Sequence, residues 1–299
     1  MLETLKHEVL IFAGKILRTP GMRGRVTISE ALFKALNPKR RIVEMGVGNH
    51  PVLLDLSEPE MRYIFFGAFE PAERKFVESF LKRGDVVIDI GANVGYLSAV
   101  ILNEICPNGS LYSFEPNPAM FERLEQVQRT SNGAMKSYRL AVGPDTGTSG
   151  LSYISFYINP DHSMWSSTDP RFVGTADAVE IKVETVSMSH FLDQHAIDHV
   201  DFIKIDVEGA KIGVLEGLRP FLETRERPGI LCEFVRTRED DKEELLAVLE
   251  DYFEMGYSLY RLCPDGGVAE IETAGFDGFE RTENFVISTE EWMGAREAR

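Results

Sequence analysis

From residue 71 onward the apolar positions switch regularly between two periods. Val86, Val87, Ile88 and Ile90 make a β-branched run suited to a strand buried on both faces, and Tyr96, Leu97, Val100 and Ile101 then recur at helical spacing. The same alternation predicts helix 71–82, strand 86–90, helix 95–104, strand 110–115, helix 118–130 and strand 136–141. It resumes with strand 201–207, helix 210–222, strand 230–235, an acidic helix 239–254 and two last strands at 257–262 and 284–288. Strands alternating with helices predict an α/β fold of the Rossmann-like kind, with ligands bound beyond the carboxyl ends of a mostly parallel sheet. Between the two regular stretches, residues 150–187 are too long and polar for an ordinary connection. They predict an inserted lid or substrate segment, spanning about 145–187 with its flanking turn.

Residues 1–70 read differently. They predict an N-terminal cap: a helix, a turn near Pro20 and Gly21, a second short helix around Glu30 to Leu36, and irregular strands near 42–56. The expected organisation is therefore a cap at 1–70 and a main domain at 71–299. Leu2, Leu5, Val9, Phe12 and Ile16 share one helical face. That face suits docking on the domain, on a second subunit to give a homo-oligomer, or on an anionic membrane surface, and docking within the protein is the simplest of the three.

Composition narrows the function classes. With 299 residues and 43% hydrophobic content the chain can bury a large core. A net charge of −16 and a pI near 4.9 argue against a nucleic-acid partner, which needs clustered Lys and Arg. The charge is uneven: residues 1–41 hold nine Lys or Arg against three Glu, a net of +6, which leaves −22 for the remainder. No apolar run approaches the roughly 18 residues of a membrane span, and charges interrupt the first helix where a signal peptide would be apolar. A cytoplasmic protein without integral membrane association is expected. Cys106, Cys232 and Cys263 are odd in number and lack metal-ligand spacing, so reduced thiols are expected, with Cys232 in the core.

The chemistry concentrates at predicted strand ends. Strand 86–90 passes into its helix through Asp89-x-Gly91-x-Asn93-x-Gly95. Glycines there allow positive φ and close approach of a ligand to the main chain, beside the unpaired N–H groups of a helix start. A dinucleotide turn has a different spacing, and a carboxylate at the strand end would repel a pyrophosphate. It would accept hydrogen bonds from an ammonium. S-adenosylmethionine carries one and has no phosphate, whereas a nicotinamide cofactor fits poorly. The other apolar runs also end in acids: Glu115, Asp206 with Glu208, and Glu233. Glu115 follows the glycine turn at about the interval of a ribose-diol acceptor. Pro116 and Asn117 set its exit turn, and Leu140, Ala141 and Val142 offer main-chain and apolar contacts to an adenine.

"GDVVIDIGANVGYLS", "SFEPNP" and "DFIKIDVEGA", in that order, resemble the FkbM-type family of S-adenosylmethionine-dependent methyltransferases over about residues 60–235. "FFGAFEP", with Glu70, resembles the family's segment before the first strand. The resemblance implies a seven-strand methyltransferase sheet with a reversed final strand, and O-methylation of a hydroxyl on a small-molecule or glycan acceptor. One departure is Lys211, where family members often carry Glu.

Methyl transfer to a hydroxyl needs alignment above all, and a group to take the proton. Asp206 and Glu208 alternate onto one side of a strand. Asp206 is the candidate to orient cofactor or acceptor, and Glu208 to assist proton removal or to anchor the next turn. His162 in the insertion is a second base candidate, and Trp165 and Phe172 are candidates to shelter the acceptor. Asp206, Glu208 and Glu233 could instead gather a hard divalent cation, although the assignment adopted includes no metal. A non-catalytic cofactor-binding or interaction module on the same fold is the alternative function.

Overall fold

The computed structural model describes residues 2–19, 22–39, 41–144, 152–175, 177–224, 227–235, 241–271 and 282–297. Helices α1 (Leu2–Leu17) and α2 (Arg25–Leu36) precede a hairpin of β1 (Ile42–Val47) and β2 (His50–Asp55). Helix α3 (Pro59–Phe66) then leads to α4 (Pro71–Phe80). The regular alternation follows: β3 (Val86–Ile90), α5 (Tyr96–Ile105), β4 (Ser110–Phe114), α6 (Pro118–Arg129) and β5 (Met135–Tyr138). Strand β6 (Ala141–Gly143) precedes the stretch 145–187, which contributes β7 (Ser152–Ile158) and β8 (Val179–Ser187), and α7 (Met188–Gln194) follows it. The last third comprises β9 (Phe202–Ile205), α8 (Lys211–Thr224), β10 (Gly229–Val235), α9 (Asp241–Glu254), β11 (Ser258–Leu262), β12 (Val268–Ile271), β13 (Thr282–Ser288) and α10 (Glu290–Glu297).

The main sheet has the order β12-β11-β13-β10-β9-β3-β4-β5. Strands β5, β4, β3, β9 and β10 pair in parallel, and β13 lies antiparallel between β10 and β11. The reversed last strand of the expected seven is thus present, and the short β12 adds an eighth strand by a hairpin with β11. Because side chains alternate along a strand, β3 sends Val87 into one core and Ile88 and Ile90 into the other. The first core also takes apolar residues of α1, α3, α4, α5, α6 and α10, and the second those of α7, α8 and α9. The result is a sheet covered on both faces, which explains its uninterrupted apolar strands.

Several expectations change. The strands near 42–56 form a regular antiparallel hairpin with a six-residue register, and α2 begins at Arg25 rather than near Glu30. The strand expected over 136–141 is two strands: β5 ends at Tyr138, and Ala141–Gly143 pair with β8 in a separate sheet of order β6-β8-β7. The turn at Pro20 and Gly21, the stretch 145–151 and the first two residues expected for the acidic helix lie outside the described residues. Cys232 is buried at 1% exposure, as its apolar surroundings predict.

Helix α1 docks through a face other than the expected one. Leu10, Gly14 and Leu17 are buried, and a Cβ on Gly14 would collide with the Phe65 ring of α3. Leu5, Val9, Phe12 and Ile16 face outward, and the side chain of Leu2 is outside the described residues. The helix is apolar on two sides, so periodicity alone selects the wrong one. No helix among the described residues is long and apolar enough to cross a membrane.

Candidate active site

Strand register brings the acidic residues together in rows. On the sheet face that carries α5, Ser113, Asp89, Lys204 and Leu231 are neighbours across β4, β3, β9 and β10. Two residues further along each strand, the same face presents Glu115, Gly91, Asp206 and Glu233. This second row lies at the carboxyl rim of the parallel strands and edges a cavity of about 210 Å³. The cavity is the crevice where an open α/β sheet binds ligands.

Behind the rim, Lys204 organises the row. Its ammonium donates to the Gly91 carbonyl at 3.0 Å and pairs with Asp206 at 3.1 Å and Asp89 at 3.4 Å. Burial pulls its pKa down, but the Asp206, Asp89 and Glu70 carboxylates outweigh that and hold it above the ordinary lysine range. Asp89 is fully buried and does not line the cavity; it accepts from Ser98 Oγ at 2.5 Å. The carboxylate expected to meet an ammonium therefore faces Lys204 and α5 instead. Sequence reading missed Lys204 because it sits inside an apolar strand. The available signal was its spacing two residues before Asp206, which places both on one face.

The glycine turn takes the conformation its residues predict. Gly91, Asn93 and Gly95 have φ of 80°, 51° and 82°. A Cβ on Gly91 would fall onto the Asp206 carbonyl oxygen, and one on Gly95 would strike Leu124 and Val127. Glu115, 6% exposed, ties the turn to the next strand by accepting from the Asn93 N–H at 2.9 Å and the Asn117 N–H at 2.7 Å. Burial raises its pKa to about 7 against the pull of those two bonds. Asn117 is 1% exposed and off the cavity: its Oδ1 caps α6 by accepting from the Ala119 N–H, and its Nδ2 donates to Ser166 Oγ at 3.3 Å. Leu140, Ala141 and Val142 with Phe114 form an apolar wall of the cavity.

The remaining acids differ in protonation. Burial opposes ionisation of Asp206, yet Lys204 and Lys211 hold its pKa below the usual range. Burial raises Glu208 despite Lys211 at 3.7 Å. Glu233 rises to about 8, through burial and then the Asp206 charge. Glu70, in left-handed conformation at the start of α4, is pushed well up by burial and by Asp206. Lys211 is 8% exposed, lies 3.9 Å from Glu233, and so places a cation behind the two glutamates. Among the described residues, no group of three or more His, Cys, Asp or Glu is placed to hold a metal ion.

Part of the stretch 145–187 lines the cavity. Ser163 donates to Glu58 from its N–H at 2.8 Å and from its Oγ at 2.5 Å, while Ser167 Oγ donates to the Glu208 carbonyl at 2.7 Å. Met164, Trp165 and Ser166, held between these ties, line the cavity together with Thr168 just beyond them and with Glu60. His162 does not line it: its ring stacks on Trp165 at 4.7 Å with Nδ1 3.6 Å from Glu60. The second base candidate therefore lies off the cavity. Of the charged residues lining the cavity, six are carboxylic acids and one, Lys204, is basic. That donor set fits the ammonium and sulfonium of S-adenosylmethionine, with Glu115 available to a diol and the apolar wall to an adenine, and it would repel a pyrophosphate.

Residues 89–259, more than half of the chain, match the Methyltransferase FkbM domain family. The chain is 25% identical over 143 residues to the hexuronic acid methyltransferase AglP of Haloferax volcanii, covering 48% of this chain and 54% of that protein. It is 24% identical over 208 residues to methyltransferase sdnD of Sordaria araneosa, covering 58% and 78%. It is 28% identical over 164 residues to the 31-O-demethyl-FK506 methyltransferase FkbM of Streptomyces tacrolimicus, covering 46% and 61%. The chain thus spans about half the length of the first of these relatives. Among solved structures, the methyltransferase FkbM of Methylobacillus flagellatus aligns with a TM-score of 0.43 at 14% identity, over 77% of this chain and 54% of that one. By the match to its domain, this chain belongs to the FkbM methyltransferase family.

Proposed function

We propose that this S-adenosylmethionine-dependent methyltransferase acts on a hydroxyl group of a sugar or natural-product small molecule. The observation that carries the reading is the acidic rim, with six carboxylic acids and a single lysine among the described residues around the cavity. When bound, the cofactor supplies an electrophilic methyl group on a good leaving group. What is left to the chain is to hold the donor, align the acceptor oxygen and take its proton. Asp206, held ionised by Lys204, suits orientation of a cation or of the acceptor hydroxyl. Glu208 lines the same cavity with a pKa raised by burial, which makes its ionised form a better proton acceptor than an exposed glutamate. The relatives named for a hexuronic acid and for an O-demethylated natural product support an oxygen acceptor.

The test combines calorimetry for the cofactor with mass spectrometry of products from a panel of sugars, uronic acids and hydroxylated natural products. Glu208→Gln is expected to lower kcat by about 10²- to 10⁴-fold with cofactor affinity nearly unchanged. Turnover near wild type in that variant would remove the base assignment. Cofactor binding with no methylated oxygen on any acceptor would instead favour a binding module.

A further inference from the structure

Seven of the ten large apolar side chains exposed among the described residues lie within the first 42 positions. Four of them, Leu5, Val9, Phe12 and Ile16, follow a 4-3-4 spacing on α1, and Phe12 is the most open at 65%. Side chains so spaced form one stripe along a helix. The stripe is not an unused docking face, because α1 already docks through Leu10, Gly14 and Leu17. Arg18 donates to the Phe65 carbonyl, and Arg25 to those of Gly67 and Thr19, which fixes α1 and α2 on α3 with the stripe turned outward.

Charge identifies what meets it. In residues 1–42 the exposed residues include Lys15, Arg23, Lys34, Lys39 and Arg41, whereas of the acids Glu3 and Glu30 are paired with Lys6 and Arg62, and Glu8 is exposed. The segment's net charge of +6 stands on a body of −22. Pairing two copies through α1 would set basic surface against basic surface. Four side chains are also far fewer than the roughly 20–30 residues a side of a standard stable interface. An anionic lipid surface has neither difficulty: it accepts apolar side chains without shape matching and attracts flanking Lys and Arg. We infer that the outward face of α1, with its basic surroundings, is a reversible docking surface for an anionic lipid membrane, on which the protein lies without spanning it. The inference is independent of the acceptor proposed for the cavity.

The experiment is flotation of the full chain with vesicles of phosphatidylcholine alone and of phosphatidylcholine mixed with phosphatidylglycerol. Binding is expected to the mixed vesicles only, and to weaken as salt is raised. Phe12→Gln combined with Ile16→Gln is expected to lower vesicle affinity about tenfold or more. Both side chains are exposed, so calorimetric affinity for S-adenosylmethionine and the thermal midpoint should not move, which separates lost docking from lost folding. Three results would each overturn the inference: no vesicle binding, equal binding to neutral and anionic vesicles, or a concentration-dependent dimer that the double substitution dissolves.

Discussion

Replacing Lys204 by Met tests how the acidic rim is held. The substitution keeps most of the buried volume but removes the cation that pairs with Asp89 and Asp206 and donates to the Gly91 carbonyl. Breaking a buried ion pair from one side costs about 3–5 kcal/mol, because the partner is left charged and unpaired. Asp89 is fully buried and bears that cost. The side chain of Asp206 is 30% exposed and can turn toward water, so the lower end, about 3 kcal/mol, is expected at pH 7. The sign with pH follows from the shifts. Asp206 has a lowered folded pKa, so its contribution is complete above the ordinary aspartate value of 3.8 and fades as pH falls through the folded one. Lys204 has a raised pKa, so its contribution is complete below 10.5 and fades only as pH rises through the folded value. The gap between wild type and Lys204→Met should therefore be flat from about pH 5 to 9 and narrow below about pH 4. Urea unfolding followed by tryptophan fluorescence across that range measures it, and adding Asp89→Asn should recover part of the loss. A loss below about 1 kcal/mol at pH 7, or one unchanged in acid, would refute the pairing as the device that holds the rim.

Gly91→Ala places a Cβ on the Asp206 carbonyl at a φ of 80°, so a loss of more than about 2 kcal/mol and of cofactor binding in calorimetry is expected. Glu115 and Glu233 keep protons in the folded state that the unfolded chain has released. The ligand-free protein should therefore lose stability as pH rises from about 5 to 8.5, about 2–3 kcal/mol of it from Glu115 alone, and Glu115→Gln should remove that share of the slope in urea titrations. A bound cation favours ionised Glu233, so cofactor binding near pH 7 should release protons, seen as a dependence of calorimetric heat on buffer ionisation enthalpy that Glu233→Gln reduces. Trp292 stacks with Phe80 and Phe202 and donates from Nε1 to the Asp201 carbonyl at 2.8 Å, so Trp292→Ala should cost about 3–5 kcal/mol in thermal or urea unfolding.

The parallel strands were legible because burial on both faces writes each one as a continuous apolar run, and the glycine turn because positive φ restricts its residues. What escaped depends on contacts distant in sequence. Strand β5 ends at Tyr138 because the next residues pair with β8, some forty positions downstream, and nothing local in "KSYRLAVG" records that partner. The eighth strand is four residues long and exists through its hairpin with β11. At the site, the rim acids Glu115, Asp206, Glu208 and Glu233 line the cavity as their strand-end positions suggest, along with Glu70, Ala141 and Val142. The side chains of Asp89, Asn117 and His162 turn elsewhere. Asp89 ends an apolar run as the others do, but register sets it beside Lys204 one row short of the rim. Sequence position fixes the strand a carboxylate is on, whereas its distance from the rim is fixed by pairing.

That one-row difference bears on why so acidic a cavity stays folded. Six neighbouring carboxylates could not all ionise in a partly buried crevice without large mutual repulsion. The second row divides the labour: Asp206, contacted by Lys204, is stabilised as an anion, while Glu70, Glu115 and Glu233 are raised toward the neutral form by burial. Asp89 adds its own charge to the field that keeps Lys204 protonated. A rim so arranged holds protons in reserve, and a cation entering the crevice can displace them, which moves the cost of assembling negative charge from folding to ligand binding. A pyrophosphate would meet direct repulsion from the ionised acids and could not draw on the protons held in reserve, since only a cation gains from their release. Selectivity for a cationic donor over a phosphate-bearing one thus follows from where Lys204 sits.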